Sequence, residues 1–290
     1  MGGLSSQSAF GRDILTQGME VSATERNEFL EALWGYYARH GRGDLPWRRP
    51  EPDGSFNPYH IMVSELMLQQ TQVLRVIPKY QAFLGRFPTI ETLAAAQLGD
   101  VLRAWQGLGY NRRAKFLWQA AQAIRELGVF PRTAAELVKL PGIGVGTAGA
   151  ILAYAFNQPV AYIETNVRTA YIHHFFVGRD SVHDKDILTV LEQTLDRESP
   201  REFYWALMDY GSYLKTTVGN LNKASKHYAK QSKFHGSKRQ LRGQVLRALG
   251  DGGLPLEALQ SAVPDERLAG VLNDLLGEGM IRQLRGTYLL

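Results

Sequence analysis

From Tyr59 onward, segments of roughly ten to twenty residues with apolar side chains at helical spacing are separated by short breakers at Pro78, Pro88, Gly107 to Gly109, Pro131 and Pro141-Gly142. Almost nothing alternates with the period of two that a strand requires. Such a pattern permits many short helices, each of which must bury its apolar face against another. The main body is therefore expected to be all-α.

Residues 1 to 20 are Gly- and Ser-rich and read as a loose tail. Order is expected to begin near Thr24, as the N-cap of a helix through Tyr37, and the prolines between Leu45 and Gly54 cannot continue that helix. At the other end, Lys215 to Lys238 is polar and weakly periodic and reads as a connector. Beyond it, 240–249, 256–263 and 266–276 have helical spacing, and Met280–Leu284 and Thr287–Leu290 form two strand-like runs around Arg285-Gly286. Three helices and a small hairpin resemble a winged helix, a module that contacts DNA or serves for docking.

Composition excludes more than it selects. With no cysteine in 290 residues there are no disulfides, thiolate metal sites, Cys nucleophiles or Cys-ligated iron–sulfur clusters. No apolar run approaches the ~20 residues that span a bilayer, and the start lacks a signal-peptide core, so a cytoplasmic location without membrane contact is expected. The net charge of +5 is uneven: between Asp209 and Asp251 there are nine Lys or Arg and no acid, leaving −4 (5 − 9) elsewhere. A basic stripe of this kind fits a polyanion, most economically nucleic acid, or a solvated linker.

Leu140-Pro-Gly-Ile-Gly144 joins two helical segments, Thr133–Lys139 and Val145–Phe156, as a helix-hairpin-helix. Gly142 and Gly144 would let a DNA backbone approach amides at a helix N-terminus, and Gly146, Ala148, Gly149 and Ala150 would let the second helix pack closely. The plainer reading is a tight turn in a helical core. Glu164 follows twenty residues after Gly144, in Ile163-Glu-Thr-Asn-Val-Arg168. Glu65 lies in His60–Ile77, a segment too apolar for a surface helix, and desolvation would suit its carboxyl to general acid work; an ion-paired surface Glu is the alternative. Gln69-Gln-Thr-Gln72 offers amides to fill the gap left by an extruded base, or is a helix end. Gly107-Leu-Gly-Tyr-Asn-Arg-Arg-Ala-Lys115 combines a breaker, an aromatic and three cations, as a loop on a phosphate backbone or flipped base would, or as capping with solvated charge would.

Taken together, Pro58-Tyr, Ser64-Glu-Leu-Met-Leu-Gln-Gln-Thr-Gln-Val73, Gly107-Leu-Gly-Tyr110, Leu140 to Ile151 and Asn166-Val-Arg168 resemble the helix-hairpin-helix (HhH-GPD) DNA glycosylases, especially the MutY-type adenine glycosylases, from about Thr24 to Ser212. The resemblance implies a two-lobed all-α fold, with a six-helix barrel lobe over 59–163 and a terminal lobe from 21–58 plus 164–225. A basic connector (226–238) and a small winged-helix-like domain (239–290) would follow. It implies Glu65 as the acid that protonates the leaving base, Glu164 at the catalytic carboxylate and Asn166 positioning that carboxylate or the attacking water. Gln69 or Gln70 would wedge the duplex and Tyr110 would touch the substrate strand. Arg112, Arg113, Leu140, Gly142, Gly144, Gly146, Thr147, Lys223, Lys226 and Lys230 would contact DNA. It also leaves room for a monovalent cation at the Leu140–Gly144 hairpin. The partner would be double-stranded DNA carrying a damaged or mispaired base, and the protein a monomer.

Four departures qualify the resemblance. The family's carboxylate is usually Asp, and the extra methylene of Glu164 moves the charge by about 1 Å. Gly146 stands where bifunctional relatives carry a Schiff-base lysine, which predicts a monofunctional hydrolase. Met208-Asp-Tyr-Gly-Ser-Tyr213 resembles the lead-in to a four-cysteine cluster loop, but Leu214–Lys233 has no cysteine. Only the winged-helix-like segment stands where relatives carry a larger domain that reads 8-oxoguanine. The expected activity is removal of adenine from a mispair. The alternatives are a glycosylase for thymine or uracil, another damaged base or an unusual DNA structure, and a non-catalytic DNA-binding protein on the same scaffold.

Overall fold

A computed structural model describes residues 20–230 and 233–290; the Gly/Ser-rich tail lies almost wholly outside them. In chain order the α-helices are α1 (Ala23–His40), α2 (Pro58–Leu68), α3 (Val73–Arg86), α4 (Ile90–Ala95), α5 (Leu98–Trp105), α6 (Arg112–Leu127) and α7 (Ala134–Leu137). They continue as α8 (Val145–Phe156), α9 (Thr165–Phe175), α10 (Asp184–Thr194), α11 (Pro200–Thr217), α12 (Lys238–Ala248), α13 (Leu256–Ala262) and α14 (Leu268–Gly277). The strands are β1 (Leu254–Pro255), β2 (Arg282–Leu284) and β3 (Thr287–Leu289), antiparallel in the order β1-β3-β2. The fold is mostly helical, as the periodicity requires. No helix among the described residues is long and apolar enough to cross a membrane.

The chain divides into two compact units, one of residues 1–42 and 159–229, the other of 43–158 and 230–290. In the first, α9 packs on α10 and α11, and α1 on α11. Helix α1 starts two residues earlier than the expected N-cap Thr24: Ser22 is the N-cap and forms a capping box with Glu25. Residues 218–229 also differ from the expected connector. A short 3₁₀ turn at Leu221–Ala224 buries Asn222, which donates to the Thr169 hydroxyl at 2.7 Å, and Val182 makes a parallel bridge with Ser225. A buried amide and a main-chain bridge fix this segment, although its charge pattern carries no helical period.

In the second unit, α2 packs on α3, α6 and α8, and seven of its residues are buried. A helix apolar on nearly every side belongs at the centre of a helical lobe. The expected single helix from His60 to Ile77 is in fact two, broken at Gln69–Gln72, so the helix-end reading of the glutamines holds. Pro78, in contrast, does not break α3. It lies on the exposed side, where the Leu74 carbonyl that loses its partner can bond water.

Residues 233–290 belong to this second unit. Gly99 lies against Leu290 so closely that a Cβ would sit 3.1 Å from it, and Arg103 Nε donates to the Gly250 carbonyl at 2.7 Å. Glu278, just beyond α14, accepts from Arg112 at 2.6 Å and from Arg242 at 2.5 and 3.0 Å, while its carbonyl takes the Lys115 ammonium. Burial by itself would raise the Glu278 carboxyl, but the two guanidinium groups outweigh it and hold the group down at about 2. A carboxyl below its ordinary 4.5 contributes stability above that value and loses it as pH falls toward 2. Glu278→Gln should therefore melt at lower temperature than the parent near neutral pH, with the difference shrinking through this acid window in a pH series of thermal melts.

Candidate functional site

Within the second unit, one side chain organises the candidate DNA-facing loops. Arg113, expected at the DNA surface, is only 7% exposed. Its Nη1 donates to the carbonyls of Leu66 (2.6 Å), Met67 (3.1 Å) and Gln69 (2.5 Å). Its Nη2 reaches the Thr71 hydroxyl (3.1 Å) and the carbonyls of Leu108 (3.3 Å) and Gly109 (3.2 Å). The guanidinium thus closes the orphan carbonyls at the end of α2 and binds them to the 107–110 loop. Burial lowers its pKa to about 10, which leaves it charged at neutral pH. Arg113 is a positioning residue, because the same planar fork that suits a phosphate also suits converging carbonyls.

Two loop residues held by this fork, Gln70 and Tyr110, have φ of +54° and +47°. A left-handed backbone at a non-glycine residue costs about 1–3 kcal/mol and persists only where the surroundings impose it. Gln70 is exposed, and Gln69 donates to the Thr147 hydroxyl at 3.2 Å, which ties the helix-end turn to the first turn of α8. Glu65 lies three residues from the end of α2, partly exposed on a helix whose other neighbours are buried.

The hairpin turn before α8 has Leu140 and Ile143 buried, and Gly144 as N-cap with no side-chain cap. The first bond of α8 runs from Ala148 to the Gly144 carbonyl, which leaves the N–H groups of Val145, Gly146 and Thr147 facing outward. A Cβ on Gly144 would meet nothing, so ligand atoms can approach there. Gly142 has a different reason: φ is +76°, and a Cβ would lie 2.5 Å from Phe116 Cβ. Its smallness serves packing on α6, not approach by a ligand.

In the first unit, Glu164 is the N-cap of α9, and its Oε1 accepts from the main-chain N–H of Asn166 (2.5 Å) and Val167 (3.1 Å). Burial pushes the carboxyl above its ordinary 4.5, opposed by these two bonds and by Arg168. The main-chain N–H of Asn166, not its side-chain amide, holds the carboxylate; the amide Nδ2 points at Met208 Sδ, 3.7 Å away. Lys223 and Lys226 are exposed here, and Lys230 is exposed in the second unit.

Three positioning residues for Glu164 escape sequence reasoning. The Tyr204 hydroxyl donates to the Val160 carbonyl (2.8 Å) and accepts from the Tyr162 N–H (3.1 Å), and the ring stacks on Tyr162 at 4.2 Å, which fixes the segment entering α9. Asp184 takes a two-pronged bond from Arg168, 2.8 Å on each side. Gly211 permits α11 to pass the first turn of α9, since a Cβ there would lie 2.3 Å from the Asn166 carbonyl oxygen. The one available signal was a glycine inside a helical pattern.

Similarity to known proteins is consistent with this geometry. The model of the HhH-GPD superfamily base excision DNA repair protein matches residues 63–195. The chain is 35% identical over 275 residues to the adenine DNA glycosylase of Mycolicibacterium smegmatis, covering 84% of this chain and 89% of that relative. It is 35% identical over 218 residues to the adenine DNA glycosylase of Buchnera aphidicola subsp. Baizongia pistaciae, covering 71% of this chain but only 60% of that relative's length. Among solved structures, a thermostable thymine-DNA glycosylase aligns with a TM-score of 0.56 at 22% identity, over 65% of this chain and 87% of that one. An endonuclease III–DNA covalent intermediate aligns with a TM-score of 0.56 at 17% identity, over 67% and 88%. These two share the fold.

Arg113→Lys, which cannot serve six acceptors, should destabilise the protein by about 2–5 kcal/mol in chemical denaturation. Gly211→Ala should cost about 1–3 kcal/mol by forcing α9 from α11, again read by denaturation. A cost near zero for either would show that these contacts do not constrain the site.

Proposed function

Since this chain belongs to the HhH-GPD superfamily of base excision DNA repair proteins, we propose that it is a monofunctional DNA glycosylase that hydrolyses the N-glycosidic bond of adenine in mispaired duplex DNA. The observation that carries the reading is Glu164, a carboxylate fixed by two main-chain N–H groups at the start of α9, close in sequence to the helix-hairpin-helix.

The chemistry asks for two carboxyl groups in different protonation states. As the C–N bond breaks, positive charge grows on the sugar and electrons move to the base, which leaves more readily once protonated. Glu65, on the apolar helix α2, supplies that proton, and adenine can accept it at a ring nitrogen. Glu164 supplies the anion that stabilises the ribosyl cation, and water completes the hydrolysis. The exposed N–H groups of Val145, Gly146 and Thr147 bind backbone phosphate, and Gln70 fills the space of the extruded base. Gly146 offers no amine to the sugar, so no Schiff base forms and no strand break follows.

A four-cysteine cluster does not fit this chain, which has no cysteine. Residues 218–229 are held instead by the Asn222–Thr169 bond and the Val182–Ser225 bridge, and they present Lys223 and Lys226 outward. No step depends on a cluster.

Labelled duplexes carrying adenine opposite 8-oxoguanine, guanine or cytosine, alongside thymine and uracil mispairs, should show adenine-dependent cleavage only after alkali, with no borohydride-trapped adduct. Glu164→Gln keeps an oxygen for the α9 cap but removes the charge, and should reduce excision by roughly a hundredfold or more with little loss of stability. Cleavage of other bases only, or a parent no faster than Glu164→Gln, would refute the assignment. Excision should also decline on the acid side with a midpoint above 4.5, because protonating Glu164 removes the anion.

A further inference from the structure

Asn222 and Thr169 are both buried and their side chains meet, the amide Nδ2 donating to the Thr169 hydroxyl at 2.7 Å. Stability alone does not call for a polar pair there. Among the described residues, the other end of the same amide, Asn222 Oδ1, is buried with no hydrogen-bond partner. Such an atom costs about 1–3 kcal/mol, and two apolar side chains of the same shape would avoid the loss. The pair is explained by what its hydrogen bonds reach.

The Thr169 hydroxyl has one proton, and it goes to the Thr165 carbonyl at 2.8 Å. That carbonyl shares a planar peptide group with the N–H of Asn166. The same N–H donates to Glu164 Oε1 at 2.5 Å. A continuous series of donors thus runs from Asn222 through Thr169 and one peptide group to the carboxylate. All of its bonds point the same way, so each polarises the next, and a carbonyl that accepts makes the N–H of its own peptide group a better donor. Geometry is set as well, because a threonine hydroxyl bonded to the carbonyl four residues back bends the turn between them. That turn holds both main-chain donors to Glu164, Asn166 and Val167.

The origin of this series is itself fixed. The Asn222 carbonyl accepts from the Ser225 N–H at 3.0 Å, and the main chain on either side of Ser225 bonds Val182. These two bonds run from the Val182 N–H to the Ala224 carbonyl (2.7 Å) and from the Lys226 N–H to the Val182 carbonyl (3.0 Å). Two residues beyond Val182 is Asp184, which holds Arg168. Residues 182–184 and 222–226 therefore form one frame that grips α9 at consecutive positions, 168 and 169. We propose that Asn222 and Thr169 are positioning residues for the reaction, and that the 218–229 segment is a mount that aims the Asn166 N–H at Glu164. This rests on the glycosylase reading for its effect on rate, but not for its effect on the Asn166 N–H.

The deciding variant of the full-length protein is Asn222→Leu/Thr169→Val, in which two apolar partners replace the polar pair at little cost to the fold. In single-turnover assays on a labelled duplex with adenine opposite 8-oxoguanine, it should excise about tenfold or more slowly than the parent. Its affinity for the same duplex built with a 2′-fluorinated adenosine, which resists cleavage, should stay within about twofold of the parent's. Amide hydrogen exchange followed by NMR should be about tenfold faster at Asn166 and unchanged in α3. Thr169→Ser keeps the hydroxyl and should match the parent in rate and exchange. Melting temperatures serve as the fold check, and all measurements are made well below the lowest of them. Asn222→Leu, which keeps Thr169, gives the same readings if the double variant does not fold.

With an active parent, an undiminished excision rate in the double variant, or a loss of rate matched by an equal loss of affinity, would overturn the proposal. Unchanged exchange at Asn166 overturns it whether or not the parent is active. If the parent excises no base of the panel, exchange alone decides, and faster exchange at Asn166 sustains the mount while the glycosylase is refuted. Adenine excision by the parent, with the same rate and the same Asn166 exchange in the double variant, does the reverse.

Discussion

The buried guanidinium of Arg113 is the constraint on which the site-bearing part of the second unit depends. Five main-chain carbonyls and one hydroxyl converge on it, from the end of α2 and from the 107–110 loop. Without it the carbonyls of Leu66, Met67 and Leu108 would lose their donor, at a cost of about 1–3 kcal/mol each, while those of Gln69 and Gly109 would keep the Thr71 hydroxyl and the Trp105 indole N–H. With it, two chain segments far apart in sequence become one surface. Gln70 and Tyr110 are held there in backbone conformations they would not adopt in isolation.

Glu164 illustrates a comparable arrangement in the first unit. Glutamate is a less usual N-cap than aspartate, and its longer side chain folds back so that one oxygen serves two main-chain donors. The helix terminus stabilises the anion while burial disfavours it, and burial prevails in setting the pKa. The group is thereby tuned by α9, and α9 is in turn located by Gly211, Tyr204 and the Arg168–Asp184 pair. The Glu164 carboxylate is thus only as well placed as the α11 surface behind it.

The basic run between Asp209 and Asp251 proves to be two features instead of one. Its first half folds as an ordered segment against α9, with Lys223 and Lys226 exposed. Its second half forms α12, where Lys238 and Arg242 meet carboxylates of the same module. Charge read along the chain cannot separate cations that face solvent from cations that pair across elements, because pairing depends on residues thirty or more positions away.

Local regularities were legible in the sequence because they are written at helical spacing: the all-helical body, the two helices around Leu140–Gly144, and the three helices and hairpin near the end. Features set by long-range contacts were not. Pro78 reads as a breaker but lies on a wet face where the lost bond is tolerated. The apolar run after His60 reads as continuous, yet it is broken where Arg113 donates to its carbonyls. The two-residue strand β1 is too short to carry a period and exists only because β3 pairs with it. The sequence by itself determined which segments are helices and which side chains could do chemistry, since periodicity and side-chain type are local properties. Only the tertiary structure decided that Arg113 is a staple, that Gly142 packs against Phe116 and that Asn222 reaches Thr169, because each depends on which distant atoms come within bonding distance.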